Sequence, residues 1–222
     1  MLDLLYEDKH LIICIKPVGI LSQPDTGEGD DMITMLSNYR KEKNEDPYIG
    51  LVHRLDRNVG GVMVFSKNSS VTKKLSSAIA ERNFTKEYFA MVHNCPEERI
   101  GVYRDLLFKD SSKNKSFVVK RARKGVKEAS LEYSVMNLKN TNQGVISLVK
   151  IRLHTGRTHQ IRVQFSSRKM PLLGDGKYGS TDNGCEIALW SYRLVFTHPM
   201  SKKHMDFCKE PPFVYPWNEL SE

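Results

Sequence analysis

Cysteine is scarce in this chain of 222 residues: Cys14, Cys95, Cys185 and Cys208 are widely separated, with no C-x-x-C pair. That spacing excludes a zinc ribbon and a redox dithiol, and reduced, mostly buried thiols are the expectation. Long apolar runs are missing too. The longest strictly apolar stretch, residues 11–15, spans five positions, against the roughly 20 that a membrane-spanning helix needs. The first eight residues carry Asp3, Glu7 and Asp8 where a secretory signal wants a basic and then an apolar segment. A cytoplasmic address is therefore expected, with no membrane partner, and the N-x-S/T strings beginning at Asn68, Asn83 and Asn114 carry no glycosylation meaning.

Catalytic signatures of several classes are absent as well. No H-E-x-x-H occurs, and His154 and His159 are five apart rather than at helical i, i+4 spacing, so a metal hydrolase and a metal site are not expected. No G-x-S-x-G elbow occurs, and no dinucleotide site is expected. The glycine-rich string 174–179 lacks P-loop spacing and reads as a turn. No internal repeat, low-complexity tract or Pro/Gly/Ser linker divides the chain. A single domain over 1–222 is expected, long enough to bury roughly 70% of its unfolded surface.

What is present is an ordinary globular composition, 40% hydrophobic and 27% charged, which excludes collagen, disordered tails and disulfide miniproteins. Thirty-four Lys and Arg against 26 Asp and Glu give a net charge of +8, a field that favours polyanionic partners. Five of these cations, Lys120, Arg121, Arg123, Lys124 and Lys127, fall within eight positions. The cluster is expected at a hairpin tip, either as a solvated loop or as a phosphate-backbone contact.

Hydrophobic periodicity places a strand at 11–16, stopped by Pro17 and Gly19. A helix follows to about residue 43, capped by Asp30 or Asp31, with Met32, Met35, Leu36 and Tyr39 on one face. A buried strand at 61–65 leads to a second helix capped by Ser69 or Ser70, its stripe formed by Leu75, Ala78, Ile79 and Arg82. Strands then succeed one another at 86–92, 102–107, 116–120, 129–136, 145–153, 192–197 and 205–208. Most connections are too short for helical crossovers, so the fold class is α+β around a mixed, largely antiparallel sheet flanked by helices.

Two segments concentrate polar side chains beside apolar strands. In residues 51–61, Asp56 lies between Arg54 and Arg57, directly before Gly60 and Gly61. Cationic neighbours favour the ionised carboxylate, which can serve as nucleophile or base; a turn stapled by Asp–Arg pairs has the same signature. Residues 153–165 carry seven hydrogen-bonding side chains from His154 to Arg162. Gly156 permits a tight turn, Thr158 can cap a short helix holding Ile161 and Phe165, and Arg157 and Arg162 suit a phosphate or carboxylate. A buried structural network is the rival reading.

The motifs together resemble the RluA-type family of RNA pseudouridine synthases, from about residue 4 to residue 207. They run in order: Lys16-Pro17-Val18-Gly19-Ile20 with Gln23-Pro24; His53-Arg54-Leu55-Asp56-Arg57; Lys86-Glu87-Tyr88-Phe89-Ala90; and 154–163, H-T-G-R-T-H-Q-I-R-V, leading into Pro171-Leu172-Leu173-Gly174-Asp175. The resemblance implies a pseudouridine-synthase-like domain with a central RNA-binding cleft that isomerises uridine in ribosomal or transfer RNA without a cofactor. It makes Asp56 the essential residue, doing covalent or general-base work. It implies that Tyr88 stacks on the flipped uracil and that Arg162 pairs with Asp56. His53, Arg54, Arg157 and His159 are then substrate-binding candidates, with Arg54 filling the space left by the flipped base, and the 120–127 cluster meets the RNA backbone. A monomer with no obligate protein partner is expected, and the small N-terminal RNA-binding domain of many relatives is not expected here.

Two departures stand out. Arg57-Asn58-Val59-Gly60-Gly61 replaces the usual R-D-T-S-G, and Ala188-Leu189-Trp190 stands where relatives often have A-L-H. They motivate a second reading, a basic RNA-binding or chaperone protein whose chemistry is lost, against which the retention of Asp56, Tyr88 and Arg162 together speaks.

Overall fold

A computed structural model describes residues 2–25, 29–142, 144–182 and 184–220. Among them the elements in chain order are β1 (Asp3–Glu7), β2 (Leu11–Lys16), α1 (Met32–Glu42), β3 (Gly50–Leu51), β4 (Gly60–Ser66), α2 (Ser69–Ala80), β5 (Phe84–His93), β6 (Ile100–Asp110), β7 (Lys115–Val119), β8 (Val126–Thr141), β9 (Gly144–Leu153), α3 (Gln160–Ser166), β10 (Leu189–Thr197) and β11 (His204–Cys208). Short 3-10 turns occupy Gly176–Tyr178 and Trp217–Leu220. The chain forms two compact units, one of residues 1–86 and 191–210, the other of 87–190 and 211–222.

In the first unit the strand order is β1-β2-β4-β10, with β3 also pairing β4 and β11 pairing β10. β1–β2, β2–β4, β3–β4 and β10–β11 are antiparallel. Every residue of β2 and β4 is buried, which is why both read as unbroken apolar runs rather than as alternation. α1 begins where expected: the Asp31 carboxylate accepts the Thr34 N–H at 3.0 Å, and Arg40 and Lys41 sit in the last turn, where the helix dipole favours cations. α2 is capped by Asn68, not by Ser69 or Ser70. Asn68 is extended and its side chain accepts the Val71 N–H at 3.0 Å, so both serines fall inside the helix. Its buried face is Val71 and Leu75, and Arg82 lies beyond the helix in a left-handed conformation.

In the second unit the order is β5-β9-β8-β6-β7, with β5–β9, β9–β8, β8–β6 and β6–β7 all antiparallel. Leu106, Leu107 and Phe108 of β6 pair with β7 on one side and β8 on the other. The 120–127 cluster is therefore not a hairpin tip. The hairpin turn falls between β6 and β7, and the basic stretch carries the chain across β6, from β7, which ends opposite Leu106, to β8, which begins opposite Phe108. α3 packs on β6 and β7. One cluster joins Leu107, Ala129, Val163 and Tyr178, and another joins Met91, Ile146, Leu173 and Ala188 under Trp217. The four thiols are unpaired, but only Cys14 is buried and Cys208 is exposed, so the expectation of mostly buried thiols does not hold. No helix among the described residues is long and apolar enough to cross a membrane.

The first unit is tied at its edge by a charge network. Glu7 accepts hydrogen bonds from Tyr39 (2.8 Å), Lys43 (2.9 Å) and Lys67 (2.9 Å), and Lys67 also reaches Glu45 at 2.8 Å. Burial alone would push the Glu7 carboxyl up, but the bonds from Lys67, Lys43 and Tyr39 outweigh it and hold the pKa at about 2, against an ordinary 4.5. A depressed acid contributes its full stability above the unfolded value and loses it as pH falls through the folded one. Glu7→Gln should accordingly be less stable than the parent above pH 4.5 and converge with it as pH falls toward 2. Urea titrations of both proteins across that window check this; a gap that stays constant to the acid end would remove ionisation as its source.

Candidate active site

Asp56 stands in a loop with no regular secondary structure, yet its neighbours on both sides are fastened. Ser22 Oγ donates to the Leu55 carbonyl at 2.8 Å and accepts the Leu55 N–H at 3.0 Å. On the other side the Arg57 carbonyl accepts from Gly19 N–H at 2.9 Å and from Lys16 Nζ at 3.0 Å. The Arg57 guanidinium turns to the Gly19 carbonyl at 2.9 Å, and Val59 N–H closes the turn on the Asp56 carbonyl at 3.0 Å. Residues 55 and 57 are thus clamped to the segment 16–22, and the half-buried Asp56 side chain projects from between two fixed points. The Arg57 guanidinium takes part in this fastening, and Arg54 is exposed.

Lys16 is the centre of the clamp. It is fully buried, and its ammonium donates to the carbonyls of Pro17, Ile20 and Arg57. Burial pulls its pKa down to about 8, an effect that the Asp56 carboxylate partly offsets. A charged, buried donor with its acceptors satisfied is rigid, because moving any of them exposes an unpaired polar group.

His53, a substrate-binding candidate from the sequence, is buried beneath the loop. Its Nε2 accepts the Val64 N–H of β4 at 3.2 Å, which places the proton on Nδ1, a buried atom without a protein partner. Burial and the charge of Lys86 push its pKa down to about 3, so the ring is neutral. It lies 6.1 Å from the Phe84 ring, itself stacked on Phe196 at 4.9 Å. Gly61, just past the loop, has φ +121°, and a Cβ there would lie 2.3 Å from the Ser191 carbonyl of β10. Glycine is demanded by both constraints. Of the family's R-D-T-S-G, the final glycine is thus kept, while Val59 buries an apolar side chain where the family has a hydroxyl.

The remaining candidates lie in the second unit. Tyr88 is a buried residue of β5, opposite Ile151 of β9. Arg162 on α3 makes a two-pronged ion pair with Asp175, Nε to Oδ2 at 2.7 Å and Nη2 to Oδ1 at 2.8 Å, both side chains nearly inaccessible. Its guanidinium lies 5.0 Å from the Tyr178 ring centroid. The Tyr178 hydroxyl accepts Ser116 N–H at 2.8 Å and bonds His159 Nδ1 at 3.0 Å.

Thr158 does not cap α3. His159 occupies the cap position in a left-handed conformation without a capping side-chain bond. The loop is held instead by the buried Gln160, whose Oε1 accepts Arg157 N–H at 3.0 Å and Thr155 Oγ1–H at 2.7 Å while Nε2 donates to Ser130 of β8 at 3.1 Å. Arg157 is half-buried, its Nε on the Glu128 carbonyl at 2.8 Å. Lys120, Arg121, Arg123, Lys124 and Lys127 are all exposed, with Arg123 over the Phe108 ring at 4.8 Å. The string 174–179 spells G-x-G-x-x-G, but it forms a 3-10 turn with Gly174 and Gly179 at positive φ, not a strand-to-helix phosphate loop. Lys16, Ser22, Gln160, Asp175 and Tyr178 are site-building residues that carry no signal of that role in their spacing.

Residues 10–167 match the family described as RNA pseudouridylate synthase. An uncharacterised RNA pseudouridine synthase of Aquifex aeolicus is 34% identical over 98% of this chain and 73% of its own length. Ribosomal large subunit pseudouridine synthase D of Borreliella burgdorferi is 32% identical over 86% of this chain and 60% of its own length. Ribosomal large subunit pseudouridine synthase C of Buchnera aphidicola subsp. Baizongia pistaciae is 34% identical over 91% of this chain and 64% of its own. The chain thus spans about 60–73% of the length of these relatives. Among solved structures, Human RNA Pseudouridylate Synthase Domain Containing 4 superposes with a TM-score of 0.76 at 21% identity, covering 95% of this chain and 88% of that one. Human RNA Pseudouridylate Synthase Domain Containing 1 gives 0.75 at 20% identity, over 96% and 85%.

The chain belongs to the RNA pseudouridylate synthase family, a family of isomerases acting on RNA. The expected α+β, pseudouridine-synthase-like fold is the fold found.

The clamp under Asp56 generates a stability test. Lys16→Met removes the donor from three carbonyls and should cost at least about 2 kcal/mol of unfolding free energy, since buried acceptors lose charged hydrogen bonds. Denaturant unfolding measures it; equal or greater stability in the variant would mean that the cost of burying the ammonium exceeds what its bonds return.

Proposed function

We propose that this chain converts a uridine of ribosomal large-subunit RNA to pseudouridine, with Asp56 as the reacting carboxylate. The observation that carries the reading is Asp56 itself, half-buried in the motif H-R-L-D-R with both chain neighbours fastened. The relatives named as ribosomal large-subunit synthases support the choice of RNA. In the reaction the bond from ribose C1′ to uracil N1 breaks and a bond from C1′ to C5 forms. The C5 hydrogen leaves as a proton and N1 gains one, so the composition is unchanged and no redox partner is needed.

A carboxylate acts on C1′ or on the base only if the nucleotide leaves its stack, at a cost of a few kcal/mol that other contacts must offset. Arg54, exposed beside Asp56, suits the vacated space or the flipped backbone. Tyr88 supplies the ring for stacking on the uracil, and Arg162 the guanidinium that pairs with and orients the Asp56 carboxylate. Arg157, His159 and the exposed cluster 120–127 supply phosphate contacts, which fix register without reading sequence.

Asp56→Asn should lower the single-turnover rate on the order of 10³-fold or more, the loss expected when the reacting group is removed, while RNA affinity stays near that of the parent. Nucleotide-resolution pseudouridine mapping of unmodified ribosomal and transfer RNA, incubated with each protein, provides the check. Full activity in the variant would remove Asp56 from the mechanism, and a parent that binds RNA but modifies none would favour an RNA-binding protein. Replacing Lys120, Arg121, Arg123, Lys124 and Lys127 by glutamine should flatten the salt dependence of RNA binding by about 0.7–0.9 logarithmic units for each phosphate that is no longer neutralised. An unchanged slope would make the cluster a solvated loop.

A further inference from the structure

Asp175 makes the two-pronged contact with Arg162 and lies at the head of the turn 174–179. The aspartate is itself immobilised: its N–H donates to the Leu172 carbonyl at 3.1 Å, and its carbonyl accepts Tyr178 N–H at 3.0 Å and Ser180 N–H at 3.1 Å. The same turn supplies Tyr178, whose ring lies under the guanidinium and whose hydroxyl is tied to Ser116 and His159. The carboxylate fixes the guanidinium in its plane, and the ring fixes the tilt of that plane.

A buried ion pair is a weak source of stability, because desolvation of both charges consumes most of the attraction. What a bidentate pair does supply is geometry, since two parallel bonds leave the planar fork one orientation. The Nε and Nη2 atoms face Asp175, so a further anion meets Arg162 on its remaining donors.

We propose that Asp175 is a positioning residue for the isomerisation: with Tyr178 it sets the direction in which Arg162 presents its remaining donors, and it touches neither substrate nor reacting atoms. This rests on the reading of Arg162 as partner to the reacting carboxylate. Asp175→Asn removes the charge but nearly preserves the shape, and Asp175→Glu keeps the charge while displacing it by a methylene.

Both variants should bind RNA as the parent does, and their single-turnover rate should fall on the order of 10- to 100-fold, the scale of a group misplaced by about an ångström. Combining Asp175→Asn with Arg162→Lys should slow the reaction no further than Arg162→Lys alone. A folded Asp175→Asn protein with the parent rate, an additive double variant, or affinity falling in step with rate would each overturn the proposal. If Asp175→Asn does not fold, Asp175→Glu is judged by the same criteria. An activity-independent arm observes the Arg162 Nε–H by ¹⁵N NMR. A slowly exchanging signal in the parent, broadened in the variant, supports positioning even if the parent modifies no RNA offered, which would defeat the functional reading alone; a signal unchanged by the substitution overturns it.

Discussion

The first unit depends on one buried ammonium. Lys16 ends β2, the strand whose six residues are all buried, and its Nζ joins the carbonyls of the following turn to that of Arg57, on the loop bearing Asp56. Moving the loop would strand a cation in an apolar interior, so strand, turn and loop behave as one body. Burial lowers the affinity of Lys16 for its proton, and the Asp56 carboxylate opposes that effect. The ammonium therefore helps to hold the loop and the negative charge that the loop displays. Ser22 adds a neutral fastening at Leu55, and Gly61 lets β4 run against Ser191 immediately afterwards.

The second unit meets the same difficulty by the same means. Residues 154–159 form an irregular segment held by Gln160, which accepts the Arg157 N–H and the Thr155 hydroxyl and donates to the Ser130 carbonyl of β8. Tyr178 and Asp175 then fix what that segment and α3 display. In both units some of the candidate side chains ride on irregular segments, Asp56 in the first and Arg157 and His159 in the second, while Tyr88 sits on β5 and Arg162 on α3. Buried polar side chains supply the stiffness that regular hydrogen bonding would give elsewhere.

Much of this was legible in the residues. β2 and β4 announce themselves as β-branched runs, and α1 through the Asp31 cap and its apolar spacing. β1, with Asp3 and Glu7 at its ends and side chains half-exposed, has neither an unbroken run nor clean alternation, and so escapes the pattern. The position of Asp56 follows from its motif, but the clamp beneath it does not. Lys16 is 41 residues from Arg57 and bonds to a carbonyl, a group every residue carries, so no side-chain pattern marks the contact. The same holds for Asp175, which reads as a turn residue until the fold brings it to Arg162. The mistaken caps, Ser69 or Ser70 and Thr158, have a common cause. Several polar residues in a row can each cap, and the choice among them depends on backbone angles that only packing decides.

The division of the chain between the units also bears on how the protein is made. The first unit takes β10 from Ser191 onward and β11 from beyond the whole of residues 87–190. Strands β2 and β4 both lie within the first 66 residues and can pair as they leave the ribosome. The seat of Gly61 against Ser191 cannot close until the later segment has emerged. The sheet that carries the Asp56 loop is therefore completed only after residues 87–190 have been made, and a nascent chain arrested before residue 191 carries the motif without the strand that braces it.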